Sequence, residues 1–105
     1  MANTFKNAGV AIGTSRTTLY TCPAATQAVI HALYISNIDG VNDADVTVEI
    51  TVNGTYYHVA KTVPVPADAT LLLDKPMNLE AGDIIGLTAS TAGDLEVFAS
   101  ILEIA

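Results

Sequence analysis

The chain has 105 residues, half of them apolar and only 14% charged, with a formal net charge of −7 from eleven acids against Lys6, Arg16, Lys61 and Lys75. That length is one domain spanning residues 1–105, able to close a two-layer core without metal or disulfide staples. The lack of a basic cluster speaks against direct binding to nucleic acid or an anionic membrane, and the single Cys22 excludes an internal disulfide framework.

Thr4 to Ile12 reads as an N-terminal arm or edge strand, broken by Gly9 and closed by Gly13-Thr14-Ser15, with residues 1–13 as the span of an extended arm. Thr17 to Cys22 is a short strand ended by Pro23. Cys22 beside that proline is read as a small buried apolar residue, since no nucleophile–base pairing accompanies it. Gln27 to Ile38 is a long strand, because β-branched Thr26, Val29 and Ile30 and the run Tyr34-Ile35-Ser36 outweigh the helix preference of the alanines. No charged-then-apolar signal pattern opens the chain, so it is expected to be made in a cytoplasm and not exported through a signal peptide. The uncharged stretch Thr17–Ile38 contains Pro23, four threonines, Gln27 and His31, which excludes a membrane span.

Asp39 to Asp45 is a polar loop, and Val46 to Val63 is a β-hairpin. Val46, Val48, Ile50 and Val52 alternate with Thr47, Glu49 and Thr51, and Asn53-Gly54 suits the positive φ angles of a two-residue type I′ turn. Such a turn sets Val52 opposite Thr55, Ile50 opposite Tyr57, Val48 opposite Val59 and Val46 opposite Lys61. The buried face is then Val46, Val48, Ile50, Tyr57 and Val59, with Thr47, Glu49, Thr51, Tyr56, His58 and Ala60 outward. Val63-Pro64-Val65-Pro66 belongs at an edge or crossover, because proline has no donor for a central ladder. Thr70 to Asp74, Ile84 to Ala89 and Leu95 to Ile104 are further strands. Leu79 to Asp83 is a turn in which Asp83 bonds its own backbone, and Ser90 to Asp94 is a loop. The apolar end, Ile101, Leu102 and Ile104, is expected to dock in a sheet. Seven or eight short strands without a connecting helix make an all-β, antiparallel two-sheet β-sandwich, jelly-roll or immunoglobulin-like.

Catalytic, cofactor-binding and metal-ligating residues are not expected. His31 lies in an apolar strand, where a half-buried structural histidine is the ordinary reading. His58 opposite Glu49 forms a cross-strand pair with no nucleophile or metal ligand beside it. HxH, CxxC and HExxH spacings are missing, and so are glycine-rich phosphate loops. The acids of the loop Asp39 to Asp45 do not fit the twelve-residue calcium loop and read as solvated turn residues.

Three stretches carry a resemblance. The opening runs from MANTFKNAGVAIG through T-x-Y-T-x-P-A to a long strand ending Ser36-Asn37. The middle is the hairpin followed by VPVPA and the leucine-rich Leu71–Leu73, and the end is LEAGDIIGLTAS…DLEVFASILEI. In this order they resemble small virion structural proteins of tailed bacteriophages, notably those of cyanophages and other aquatic phages. The resemblance implies a non-enzymatic protein of the virion, made in the host cytoplasm. It implies a capsid decoration (cement) protein on the outer head or, alternatively, a neck, tail or fibre component, including a receptor- or glycan-binding module. Implied partners are other virion proteins, among them the major capsid protein, and copies of the chain itself in a homo-oligomer such as a trimer. Neutral Thr- and Ala-rich strand faces suit such contacts. Phe5, Lys6, Tyr20, Tyr34, Glu49, Tyr56 and His58 are the candidate partner-binding residues.

Overall fold

In the computed structural model, which describes residues 2–105, nine strands form two antiparallel sheets. They are β1 (Asn3–Ala11), β2 (Thr17–Thr21), β3 (Gln27–Asn37), β4 (Ala44–Val52), β5 (Thr55–Val65), β6 (Thr70–Leu73), β7 (Met77–Leu79), β8 (Ile84–Ala89) and β9 (Leu95–Ile104). Sheet A has the order β1-β9-β3-β6, with β7 also on β3, and sheet B has the order β2-β8-β4-β5. β6 and β7 are two halves of one edge, separated at Asp74–Pro76, where proline cannot donate. The short β7 carries no legible pattern in its three residues.

The pairing is nested. β4 pairs β5 across the Asn53-Gly54 turn, β3 pairs β6 and β7, β2 pairs β8, and β1 pairs β9. The chain is thus one long hairpin rolled into two sheets, which is jelly-roll topology. Asn53 and Gly54 have φ of 52° and 82°, as a type I′ turn requires, and they form the tip of the whole roll. Between the sheets lie Ile30, Leu33, Ile35, Ala99 and Ile101 from sheet A and Val46, Val48, Ile85 and Leu87 from sheet B, each at most 1% exposed.

Residues 3–11 are an edge strand and not a free arm. All nine pair with β9, and Ala8 and Val10 turn inward opposite Ala99 and Val97 to pack on the core. Ala2 and Ala105 exchange backbone hydrogen bonds of 2.7 and 2.9 Å, so the apolar last strand is docked between β1 and β3.

The hairpin keeps its expected register only from the turn to Glu49–His58. Beyond that, Val48 pairs Ala60 and Val46 pairs Val63, because β5 holds an extra residue at each of two bulges. The first bulge leaves Val59 exposed and turns Ala60 inward, the reverse of simple alternation. The second holds Thr62 at φ 53°, with its amide donated to Thr47 Oγ1 at 3.1 Å. The second bulge reverses the inversion made by the first, so Val63 and Val65 again face inward, and Val65 is fully buried. Tyr57 shares the inward face of Ile50, yet it is 59% exposed because β5 lies at the edge of its sheet and its inner side at this flank is left open.

Asn37, 3% exposed, joins three segments: its amide donates to Asn42 O and Val65 O at 2.9 Å each, and its Oδ1 accepts from Asp39 N at 2.9 Å. Asp83 accepts from the Glu80 amide at 2.9 Å and closes its own turn as its position suggests.

Candidate functional surfaces

The two sheets present outward faces built in opposite ways. On sheet B, Glu49 and Thr51 are 6% and 7% exposed although they point away from the core. Arg16, from the β1–β2 loop, explains the burial of Glu49. Its guanidinium donates through Nε and Nη2 to the two carboxylate oxygens of Glu49, at 3.1 Å each, and lies 3.4 Å over the Tyr56 ring. His58 Nε2 stands 3.6 Å from the same carboxylate. The hydrogen bonds from Arg16 hold the Glu49 carboxyl below the usual glutamate range, against the opposing effect of burial.

Gly86 makes this arrangement possible. It pairs Glu49 in the ladder, and a Cβ there would sit 3.0 Å from Arg16 Cγ and 3.3 Å from Cδ. The glycine is a groove for the Arg16 stem. Thr51 Oγ1 is buried on this face without a hydrogen-bond partner. Glu49, Tyr56 and His58, three of the candidate binding residues, are therefore brought together, but around an arginine that no local pattern marks.

Sheet A is finished differently. Opposed residues of antiparallel strands share a face, so the register gives its outward rows directly. One row is Leu72, Tyr34, Phe98 and Gly9; the first three are 46%, 41% and 45% exposed. Next is a row of small or polar residues, Ala32, Ser100 and Asn7. The third row is Asn78, Val29, Leu102 and Phe5, with Phe5 81% exposed. Tyr34 and Phe98 rings meet at 6.2 Å with a 43° tilt. Where Gly9 lacks a side chain, a shallow depression of about 350 Å³ opens beside Phe98, floored by Gly9 and Ala11 and rimmed by Tyr34, Ser36 and Glu96. Among the described residues of these rows and their flanking rows, Glu96 is the one carboxylate. Phe5 and Tyr34 lie here as candidate binding residues; the sequence does not single out Phe98, Leu72 and Leu102, because their strands are apolar on both faces.

Lys6 and Tyr20, two further candidate binding residues, lie apart from both of these clusters. Both reach Glu103 on β9: Tyr20 OH donates at 2.5 Å and Lys6 Nζ is 3.3 Å away. Burial, reinforced by the Glu103 carboxylate, pushes the Tyr20 phenol well above its ordinary range, while the Tyr20 hydrogen bond holds Glu103 down. The cluster ties β2 of sheet B to β1 and β9 of sheet A. No protein-family model and no curated protein matches this chain.

His31 is the extra residue of a bulge between Ile30 and Ala32, which turns it to solvent instead of half-burying it. Cys22 is 1% exposed and its thiol lies 3.3 Å from the Thr26 carbonyl; burial raises its pKa. In the loop before β4, Asp39 accepts from the amides of Val41 and Asn42 at 2.7 and 3.1 Å, and Asp43 accepts from Ala67 N at 3.1 Å. These carboxylates hold loop backbone, and those amide bonds keep the Asp39 pKa low. Among the described residues no group of three or more His, Cys, Asp or Glu is placed to hold a metal ion.

Proposed function

We propose that the chain is a non-enzymatic structural protein of a phage virion, a decoration protein seated on the outer head. The observation that carries this reading is the outward face of sheet A. Phe5, Tyr34, Leu72 and Phe98 stand 41–81% exposed on one side of one sheet. A monomeric protein seldom leaves so many large apolar side chains of one face wet, and such faces mark assembly surfaces. The resemblance of the opening, hairpin and closing stretches to small virion proteins supplies the setting. The jelly-roll topology agrees by analogy, since that fold serves both capsid and lectin domains.

A decoration protein works by adding contacts across a shell that is already formed. Its requirements are a rigid sandwich, a surface for neighbours and high copy number, and no reacting group needs to be poised. Mass spectrometry of purified particles tests the reading: the chain should be abundant, in a ratio to the major capsid protein typical of shell components. Particles stripped of it should open at lower temperature and regain resistance when it is added back. Absence from particles ends the proposal, and a few copies confined to one vertex move the chain to the neck or tail.

A further inference from the structure

The outward face of sheet A has a pattern in it that points to its occupant. We propose that a second copy of this chain stacks on it, face to face, about a twofold axis running along the row Ala32–Ser100–Asn7. The inference deepens the reading of this face as an assembly surface, but it holds in solution whether or not the chain belongs to a virion.

Symmetry makes the argument. The row of Leu72, Tyr34, Phe98 and Gly9 and the row of Asn78, Val29, Leu102 and Phe5 lie one on each side of the proposed axis. A twofold along the middle row lays the first row of one copy over the second row of the other. Tyr34 then meets Val29, Phe98 meets Leu102, and the depression at Gly9 receives Phe5 of the second copy. At Tyr34 and Phe98 large rings oppose smaller side chains, Leu72 covers Asn78, and Phe5, 81% exposed, opposes the one residue that has no side chain. The small row at the axis lets the two backbones approach. A face that pairs with its own copy must be complementary to itself in this way, since each contact occurs twice.

Charge selects the same occupant. A chain with a net charge of −7 repels its copies over most approaches. Here, among the described residues, Glu96 is the one carboxylate of the rows and their flanks, while Asp39, Asp43, Asp45, Asp68 and Asp94 gather at the loops of one end, linked by backbone and side-chain bonds. The three stacked rows themselves hold no formal charge, with His31 exposed at the bulge beside the axis and Glu96 in a flanking row, so like-charge repulsion is weak where two copies meet. A basic partner would be drawn first to the five acids at that end, since the sheet offers it Glu96 alone.

The area suffices. Strands of 9 to 11 residues give β1, β9 and β3 a length of about 30 Å, and four strands about 4.8 Å apart span about 19 Å. The face is therefore about 600 Å² per copy, above the roughly 500 Å² a side that a specific interface needs. Two sheets stacked in this manner lie about 10 Å apart with strands aligned to within about 30°.

Sedimentation of the intact chain over a concentration series tests the proposal. A dimer is expected, with a dissociation constant of about 1 μM or tighter. Phe98→Lys should yield a folded monomer, its far-ultraviolet circular dichroism unchanged. Gly9→Phe is a second handle that the monomer tolerates, because a Cβ at Gly9 meets only Val97 O at 3.5 Å and Phe98 Cδ1 at 3.9 Å. It should weaken the dimer at least about tenfold, a loss of about 1.4 kcal/mol, and adding Phe5→Ala should restore most of the association. A monomeric wild-type chain overturns the proposal, as does a trimer, a dimer indifferent to Phe98→Lys, or a Gly9→Phe defect that Phe5→Ala leaves unrepaired. A monomer that still coats particles would assign the face to the shell and leave the virion reading intact.

Discussion

The two outward faces of this sandwich are finished differently: the chain covers part of one with its own arginine and leaves the other open. On sheet B a single arginine crosses Gly86 to reach Glu49 and stacks on Tyr56, so an outward glutamate is only 6% exposed. On sheet A no segment of the described chain covers Tyr34, Leu72 and Phe98, and the side chains stay near half exposed. The contrast shows that burial in a small β domain is decided by what lies above a strand, not by which side of the sheet its residues take. An outward position that the chain covers contributes to folding. One that it does not cover is available for assembly.

Substitutions can break that comparison. The largest effect should separate the two sides of β9. Ile101→Ala removes a side chain 1% exposed in the core and should lower unfolding free energy by about 3 kcal/mol. Phe98→Ala, three residues earlier and 45% exposed, should change the stability of the dilute monomer by under about 1 kcal/mol. Urea unfolding at low concentration measures both, and comparable losses would mean that the outer face is covered within the monomer.

The next effect sharpens the account of sheet B. Because Arg16 holds the folded Glu49 carboxyl below its usual range, unfolding raises its affinity for protons. The associated stability is complete above the ordinary glutamate value of about 4.3 and is lost as pH falls through the depressed folded value. Glu49→Gln should lower stability at neutral pH and flatten the acid side of the profile between about pH 4.3 and the acid limit. Melting temperatures across that range check the sign; a variant with an unchanged acid limb would mean that the pair contributes nothing.

The smallest effect is a gain. Thr51 Oγ1 is buried with no partner on the same outward face, so Thr51→Val should raise stability by up to about 1 kcal/mol. A loss on denaturant unfolding would show that the hydroxyl is satisfied in solution and that the cover on sheet B is looser than described.

Much of the roll is legible locally. The alternation Val46–Val52 with Asn53-Gly54 marks β4 and the turn, and the strands Gln27–Asn37, Ile84–Ala89 and Leu95–Ile104 stand within a residue of their expected bounds. The candidate surface was legible in part. Phe5 and Tyr34 fall on one open face, but Phe98 escaped notice because β9 is apolar on both sides, so its period-two pattern names no outer face. The role of Arg16 had no signal in its own neighbourhood, and neither did the bulges that displace Val59 and Thr62, since each answers to a strand elsewhere in the sheet.

By itself the sequence determined a single all-β domain, the hairpin tip at Asn53-Gly54 and the strands that feed it, because pleat and turn preferences act within a few residues. Only the tertiary structure decided that this tip is the centre of a rolled jelly-roll ribbon, that residues 3–11 form an edge strand, and that one neutral face is roofed while the other is bare. Those outcomes rest on contacts such as Arg16 with Glu49, 33 residues apart, and Tyr20 with Glu103, 83 residues apart. No pattern of period two carries information over such distances, because the energy that selects them comes into being only when the two sheets close on each other.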